Sequence, residues 1–123
     1  MEGPTLEDCF ARAAAGVFAS FVPPPPPSAA RTDVELEVEA ADTEELLVAW
    51  LEELLFRSET SRLLFDSFEV ESLDGDRLRG RASGRTQAVG EELAGPGIKG
   101  VTRHGLRLEE HRGGWRAQLY LDV

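Results

Sequence analysis

The chain ends on the residues LYLDV, where an aspartate stands beside the terminal carboxylate. Asp122 and the carboxylate of Val123 offer two anionic oxygen groups separated by a few atoms. A hard cation such as calcium binds oxygen ligands and takes about six to eight of them. The pair could therefore supply part of a calcium site, completed by others of the 23 acidic residues. The alternative is a solvated aspartate at a fraying chain end, which spacing alone favours.

A second group of residues with chemical potential lies in the segment KGVTRHG. His104 stands there five residues after Lys99. A histidine can act as an acid, a base or a metal ligand. The alternative is a surface or hydrogen-bonded histidine on a strand, and spacing alone does not make His104 functional. His111, in the charged segment EEHRGG, is predicted to be solvated.

Motifs and charge exclude several classes of function. The sequence holds no glycine-rich phosphate loop, no paired-cysteine metal site and no zinc-binding His-Glu helix. The 13 Lys and Arg against 23 Asp and Glu give a net charge of −10. Because nucleic-acid binding by counterion release needs clustered cations, this charge disfavours a free-standing RNA-binding surface. Any RNA is expected to be reached through a partner.

Cysteine usage and the N-terminal segment indicate the compartment. Cys9 is the single cysteine, which excludes a disulfide within the chain and predicts a small buried hydrophobe. The start MEGPTLEDCF lacks the basic and apolar regions of a signal peptide. No apolar run approaches the roughly 20 residues that a bilayer span needs. We therefore expect a cytoplasmic protein with no membrane partner.

Two segments have the periodicity of amphipathic helices. Thr5, followed three residues later by Asp8, predicts a capping-box variant, and the helix after it must end before Pro23. Asp42 and Glu45 form a second capping box ahead of a wide apolar stripe. The apolar residues at three-and-four spacing are Leu6, Cys9, Phe10, Ala13, Ala14, Val17, Phe18 and Phe21 in the first helix, and Leu46, Leu47, Trp50, Leu51, Leu54 and Leu55 in the second.

The other segments predict strands and their connections. A period-two pattern, typical of a strand with one buried face, marks residues 34–40 and 115–123. Turn residues at 74–76 and 112–114 predict hairpins. Residues 84–97 are small, acidic and interrupted by Gly and Pro, so they predict a long loop. The predicted strands are 34–40, 63–73 after an irregular start, 77–83, 98–111 and 115–123.

These elements make one small α+β domain over residues 1–123, with two helices packed on a largely antiparallel or mixed sheet. The run of prolines at 23–27 predicts a stiff polyproline connector, with a docking site for proline-reading domains as the alternative. Alternation in the closing strand predicts one apolar face and one polar face. The apolar face is Trp115, Ala117, Leu119, Leu121 and Val123, and the polar face is Arg116, Gln118, Tyr120 and Asp122.

Five segments in this order resemble the archease family: GPTLEDCFARAAAGVF, ELLVAWLEELLF, LLFDSFEVE, IKGVTRHGLRLEE and GGWRAQLYLDV. The similarity covers about residues 3–123. Its most specific parts are the Lys-x-x-Thr-x-His pattern and the ending that runs from a tryptophan to an aspartate and a final hydrophobe.

The resemblance implies a protein cofactor and not an enzyme. Archeases activate the RNA-splicing ligase that joins tRNA exons, by promoting the covalent ligase–guanylate and multiple turnover. The partner implied is the ligase, and tRNA is reached only indirectly. Lys99, Thr102 and His104 match a functional strand of the family, with Gly100 and Arg103 in place of its small residue and tyrosine.

The resemblance also implies a calcium site. In the family, the ligands are an aspartate of a His-Thr-Ala-Asp-like segment near the N-terminus together with the aspartate and final residue of the C-terminus. Asp122 and Val123 match that ending. The family's first strand should precede Gly3, where only Met1 and Glu2 stand. One ligand is thus missing, and we expect the translation start to lie upstream, the alternative being a divergent member that has lost the strand. GEELAGPG is a further departure, since relatives carry a more polar loop there.

Three functions follow as hypotheses. The first is activation of an RNA-splicing ligase. The second is a general chaperone or adaptor that shields aggregation-prone partners and does not depend on Asp122. The third is a metal-dependent hydrolase built on Asp122, His104, Glu91 and Glu92, and no sequence motif supports it.

Overall fold

The computed structural model describes residues 1–24, 30–93 and 97–123. Most of the predicted polyproline connector at 23–27 lies outside these residues. Two helices and six strands lie within them. In chain order they are β1 (Glu2–Gly3), α1 (Leu6–Ala19), β2 (Thr32–Glu39), α2 (Thr43–Ser61), β3 (Leu63–Asp74), β4 (Arg77–Thr86), β5 (Gly100–His111) and β6 (Gly114–Asp122).

The strands form two three-stranded sheets, with orders β1-β6-β5 and β2-β4-β3. Every pairing is antiparallel. The α+β class and the antiparallel pairing agree with the sequence-based prediction, whereas the division into two sheets was not predicted. Each sheet is built on one local hairpin, β3-β4 or β5-β6, and gains its third strand from a distant part of the chain. Alternation identifies a buried face but does not say which sheet a strand joins.

Both helices begin at the predicted caps. The Asp8 N–H donates to Thr5 Oγ1 at 3.1 Å, and the Glu45 N–H donates to Asp42 Oδ1 at 2.8 Å. Each bond satisfies a backbone donor that the first helical turn leaves without a partner. α2 ends at Arg62, which adopts the left-handed conformation at a φ of 54° and donates its N–H to the Ser58 carbonyl.

The core lies between the two helices and the inner faces of both sheets. Trp50 is fully buried, and its indole N–H donates to the Phe10 carbonyl oxygen at 3.1 Å, which ties α2 to α1. Phe18 of α1 packs against Phe65 and Phe68 of β3, with ring centroids 5.6 and 5.3 Å apart. These contacts hold helices and sheets together as one unit.

Two segments predicted as irregular or as loop belong to strands. β3 is a strand from Leu63 onwards, because bulges after Phe65 and Val70 break the alternation without ending the pairing. β4 continues through Gly84 to Thr86, inside the segment predicted as a loop. Gly84 fits because the Leu64 backbone crosses so closely above it that any side chain would collide. The loop therefore begins after Thr86.

The family's first strand was expected to be missing, and the described residues before α1 form only the two-residue strand β1. Glu2 pairs with Arg116 and Gly3 with Trp115, and Met1 extends the ladder by exchanging two hydrogen bonds with Ala117. β6 alternates as predicted, with Ala117 buried and Tyr120 exposed. Among the described helices, none combines the length and apolar character that crossing a membrane requires.

Candidate functional site

The start of β5 and the end of β6 bring Lys99 beside Asp122. The Lys99 N–H donates to the Asp122 backbone carbonyl oxygen at 2.7 Å, and Gly100 is the direct partner of Asp122 in the ladder. Both side chains are exposed. Two groups that the sequence places 23 positions apart therefore share one end of the β1-β6-β5 sheet.

A bulge in β5 shapes the neighbouring surface. Thr102 pairs with Tyr120, but the next pair in the ladder joins Arg107 to Gln118, so the residues between leave the regular register. Gly105 lies within the bulge at a φ of 79°, a conformation that suits glycine. The bulge turns Arg103 and His104 towards solvent and away from the ladder.

His104 and Thr102 form a local turn within this bulge. The His104 N–H donates to Thr102 Oγ1 at 3.2 Å, which fixes the backbone of both residues. The imidazole itself is exposed. The structure thus places Thr102 and His104 on β5 and Lys99 immediately before it, with the Asp122 backbone beside Lys99 and Tyr120 opposite Thr102.

Arg103 connects the bulge to helix α2. Its Nε donates to both carboxylate oxygens of Glu45, at 2.9 and 3.0 Å, and its Nη2 lies 4.0 Å from Glu52 Oε1. The hydrogen bond that Arg103 donates to Glu45 raises the pKa of the Arg103 guanidinium. Sequence reasoning noted Arg103 only as a departure from the family pattern, because its partners are more than 50 residues away in the chain.

A cavity of about 760 Å³ opens beside this site. Lys99 and Val123 line one side, and Phe56 of α2 and Leu93 line another. Phe56 is 58% exposed and Val123 is 66% exposed. An apolar wall of this kind at a polar edge is typical of a partner-binding surface. The sequence did not indicate it, although Phe56 stands on α2 next to the predicted apolar stripe.

The Asp122 carboxylate makes no hydrogen bond or ion pair with any described residue. Together with the Val123 carboxylate it supplies oxygen donors, the ligand type that calcium binds. Within residues 1–24, 30–93 and 97–123, no three His, Cys, Asp or Glu side chains converge as a metal ion would require. The described residues thus provide oxygen donors at this strand end but no complete set of metal ligands.

Glu91 belongs to a separate group of hydrogen bonds, which does not include Asp122 or His104. Arg85 donates to both Glu91 oxygens at 2.8 and 2.7 Å, and the Ala88 N–H donates to Oε1 at 3.0 Å. These bonds lower the pKa of Glu91 from 4.5 to about 2. These bonds fix the segment after β4 against Arg85. A carboxylate with so low a pKa is unsuited to proton transfer near neutral pH. Glu92, its neighbour, is exposed.

Known proteins are similar to this chain in sequence and fold over nearly its whole length. The archease protein family matches residues 1–123. "Protein archease" of Methanosarcina mazei is 33% identical over 125 residues, covering 98% of this chain and 85% of the relative. "Protein archease" of Pyrococcus furiosus is 34% identical, covering 98% and 87%. The solution structure of Methanobacterium thermoautotrophicum protein 1598 matches with a TM-score of 0.74 and 34% identity, over 96% of this chain and 85% of that one.

Two helices packed on two antiparallel three-stranded sheets, with a polar surface at one sheet end, define a small α+β domain. The chain belongs to the archease family. Membership confirms the resemblance predicted from the sequence, and the matching solved structure confirms the α+β class. It also supports a role related to RNA processing, as an activator that works through a protein partner.

Proposed function

We propose that this archease activates an RNA-splicing ligase by presenting the shared end of β5 and β6 to the ligase. The observation that carries the proposal is the Lys99–Asp122 hydrogen bond, which holds an exposed cation and exposed carboxylates at one strand end. Neither the Lys99 nor the Asp122 side chain is engaged by another described residue, so both are available to a partner. The covalent chemistry stays on the ligase.

Charge supports the same surface. Asp122 and the Val123 carboxylate are anionic groups on a chain of net charge −10, and such a surface attracts the cationic residues and metal ions of a nucleotide site. The β5 bulge and the cavity beside Val123 give the contact a defined shape. We propose that docking there reorganises the ligase so that the ligase–guanylate forms faster and the ligase undergoes multiple turnovers. This activation needs no contact between tRNA and the shared end of β5 and β6.

We further propose that Asp122 and Val123 hold calcium. Bound there, calcium would convert a repulsive pair of carboxylates into a fixed electrostatic feature. Further oxygens would come from water or from the ligase.

The test is the rate of ligase–guanylate formation with the cognate ligase. The wild-type chain should accelerate the reaction, and Asp122→Ala should remove most of the acceleration. Glu110→Ala is the matched control, since Glu110 is an exposed acid at the opposite end of the same strand pair. No acceleration by the wild-type chain, or equal acceleration by wild type and Asp122→Ala, would contradict the proposal.

The exposed apolar wall favours a second candidate, a general chaperone or adaptor. Phe56 and Val123 could shield apolar segments of unrelated clients. This function predicts suppression of client aggregation that Phe56→Ser lowers and Asp122→Ala leaves unchanged. If the chain is a ligase-specific activator, Asp122→Ala should lower its effect in the guanylylation assay more than Phe56→Ser does.

A further inference from the structure

A second concave surface lies at the other end of β6, between the β5-β6 turn, β1 and helix α1. It encloses about 500 Å³. Three arginines and one histidine line it, which are Arg12, Arg112, Arg116 and His111. Arg116 precedes Asp122 by six residues on one strand, which corresponds to about 20 Å. The surface is therefore separate from the candidate site at the strand ends.

Two of the arginines are held in place by Glu2. Arg116 donates to Glu2 Oε1 from Nε at 2.9 Å and from Nη2 at 2.7 Å. Arg12 donates from Nη1 to the Glu2 backbone carbonyl oxygen at 3.0 Å. Each guanidinium has five N–H donors, so both retain donors for a ligand. Glu2 is the single carboxylate among the lining residues that the structure describes, against three guanidinium groups.

Arg112 adopts an unusual backbone conformation. It and Gly113 form the two-residue turn of the β5-β6 hairpin, with φ angles of 50° and 78°. Such a turn favours Asn-Gly, because residues with a large side chain are strained at positive φ. Strained residues of this kind concentrate at functional sites. The Arg112 guanidinium makes no ion pair with any residue in the described part of the chain.

We propose that this surface binds a phosphate group. The arginine fork matches the oxygens of phosphate with two parallel hydrogen bonds, and three forks around one depression provide more donors than a carboxylate can use. The depression has room for the sugar attached to the phosphate. The net charge of −10 conceals this local excess of cations, because net charge carries no information about clustering. The phosphate belongs to an RNA strand or is free in solution.

The test compares two arginines with the same backbone conformation. Arg112→Asn removes the cation, while asparagine suits the positive φ and should leave the hairpin at least as stable. Arg62→Asn is the matched control, because Arg62 also lies at a positive φ and its loss changes net charge equally, but it lies outside this depression. Equilibrium unfolding of both variants verifies that they fold.

Binding of a short 3′-labelled RNA with a 5′-phosphate, and of the same RNA with a 5′-hydroxyl, is measured by fluorescence anisotropy at low salt, and binding of inorganic phosphate is measured directly by titration calorimetry. We expect Arg112→Asn to weaken binding about tenfold, as the loss of a charge-assisted contact would, and Arg62→Asn to have a much smaller effect. Preference for the 5′-phosphate would identify a strand end, equal binding of both RNAs would identify backbone phosphate, and binding of inorganic phosphate alone would identify free phosphate.

Each of these three results supports the proposal only with the difference between the two variants. Equal weakening by Arg112→Asn and Arg62→Asn would show a general charge effect and overturn the proposal. Absence of binding to both RNAs and to inorganic phosphate would also overturn it. No step uses the ligase, so the outcome is independent of the function proposed for the opposite end of the sheet.

Discussion

The ring of Tyr120 lies directly over Gly105. A Cβ built on Gly105 would stand 2.6 Å from Cε2 of that ring, closer than two such atoms approach in proteins. Gly105 belongs to the bulge that carries His104, and Tyr120 lies two residues before Asp122. The contact thus joins the bulge to β6, since Gly105 itself has no partner in the ladder.

Gly105→Ala should displace the Tyr120 ring, because Tyr120 is 52% exposed and can swing outward. Gly90→Ala is the control, since Gly90 has the same φ of 79° but no heavy atom within 4 Å of its added Cβ. The free energy of unfolding of both variants should fall by about 1 to 2 kcal/mol, because alanine is strained in the left-handed backbone conformation. NMR of the tyrosine ring should change only in Gly105→Ala. An unchanged ring in that variant would contradict the contact.

Gly80→Ala should destabilise the fold by about 1 to 3 kcal/mol. Its Cβ would lie 2.9 Å from the indole of Trp50, which is fully buried and has no room to move, and 2.8 Å from the Glu69 carbonyl oxygen. Gly75→Ala is the control, because the space around Gly75 is open. Urea unfolding measures both free energies. Equal values for the two variants would contradict this packing.

Stability should fall at low pH partly through Glu91. Its pKa in the folded chain is about 2, below the ordinary value of 4.5. A carboxylate of lowered pKa stabilises the fold above its unfolded-state pKa, and this contribution is lost as pH falls through the folded-state pKa. The loss should occur between about pH 5 and pH 2.

Glu91→Gln should be less stable than wild type at neutral pH, because the Arg85 guanidinium then faces a neutral amide. The difference should shrink as pH falls through that window. Urea unfolding over a pH series measures it, with Glu92→Gln as the control, since Glu92 is exposed. A difference between wild type and Glu91→Gln that stays constant with pH would argue against the lowered pKa.

Asp122→Asn should weaken calcium binding by at least about tenfold, because calcium affinity depends on the number of charged ligands. Titration calorimetry measures the affinity, with Glu110→Gln as the control for loss of one negative charge. An amidated C-terminus tests Val123 in the same way. Calcium binding that tolerates both changes would show that the ion binds elsewhere.

Several features were predictable from local sequence. Thr5 and Asp42 were identified as helix caps because a cap is a bond between residues three positions apart. The outward position of Asp122 followed from period-two alternation along β6. The order of five segments was sufficient for the archease family. The functional role of Lys99, Thr102 and His104 stays a prediction that rests on that resemblance, because spacing alone did not make His104 functional.

The boundaries and contacts that depend on distant residues were not predictable. β4 extends past Gly84 because the start of β3 pairs with it, which overrides the local composition of a loop. The β5 bulge depends on its register with β6, and alternation within one strand does not encode a bulge in the next.

Sequence by itself therefore determined which residues face inward, where helices begin and which family the chain belongs to. Tertiary structure alone decided that the strands form two sheets, that the Lys99 backbone bonds to the Asp122 backbone and that Arg12, Arg112 and Arg116 line one depression with Glu2. The physical reason is separation along the chain. Helix caps and strand alternation depend on residues two to four positions apart. The sheet pairings and the contacts between distant residues close long loops, which only the packing of the whole core stabilises.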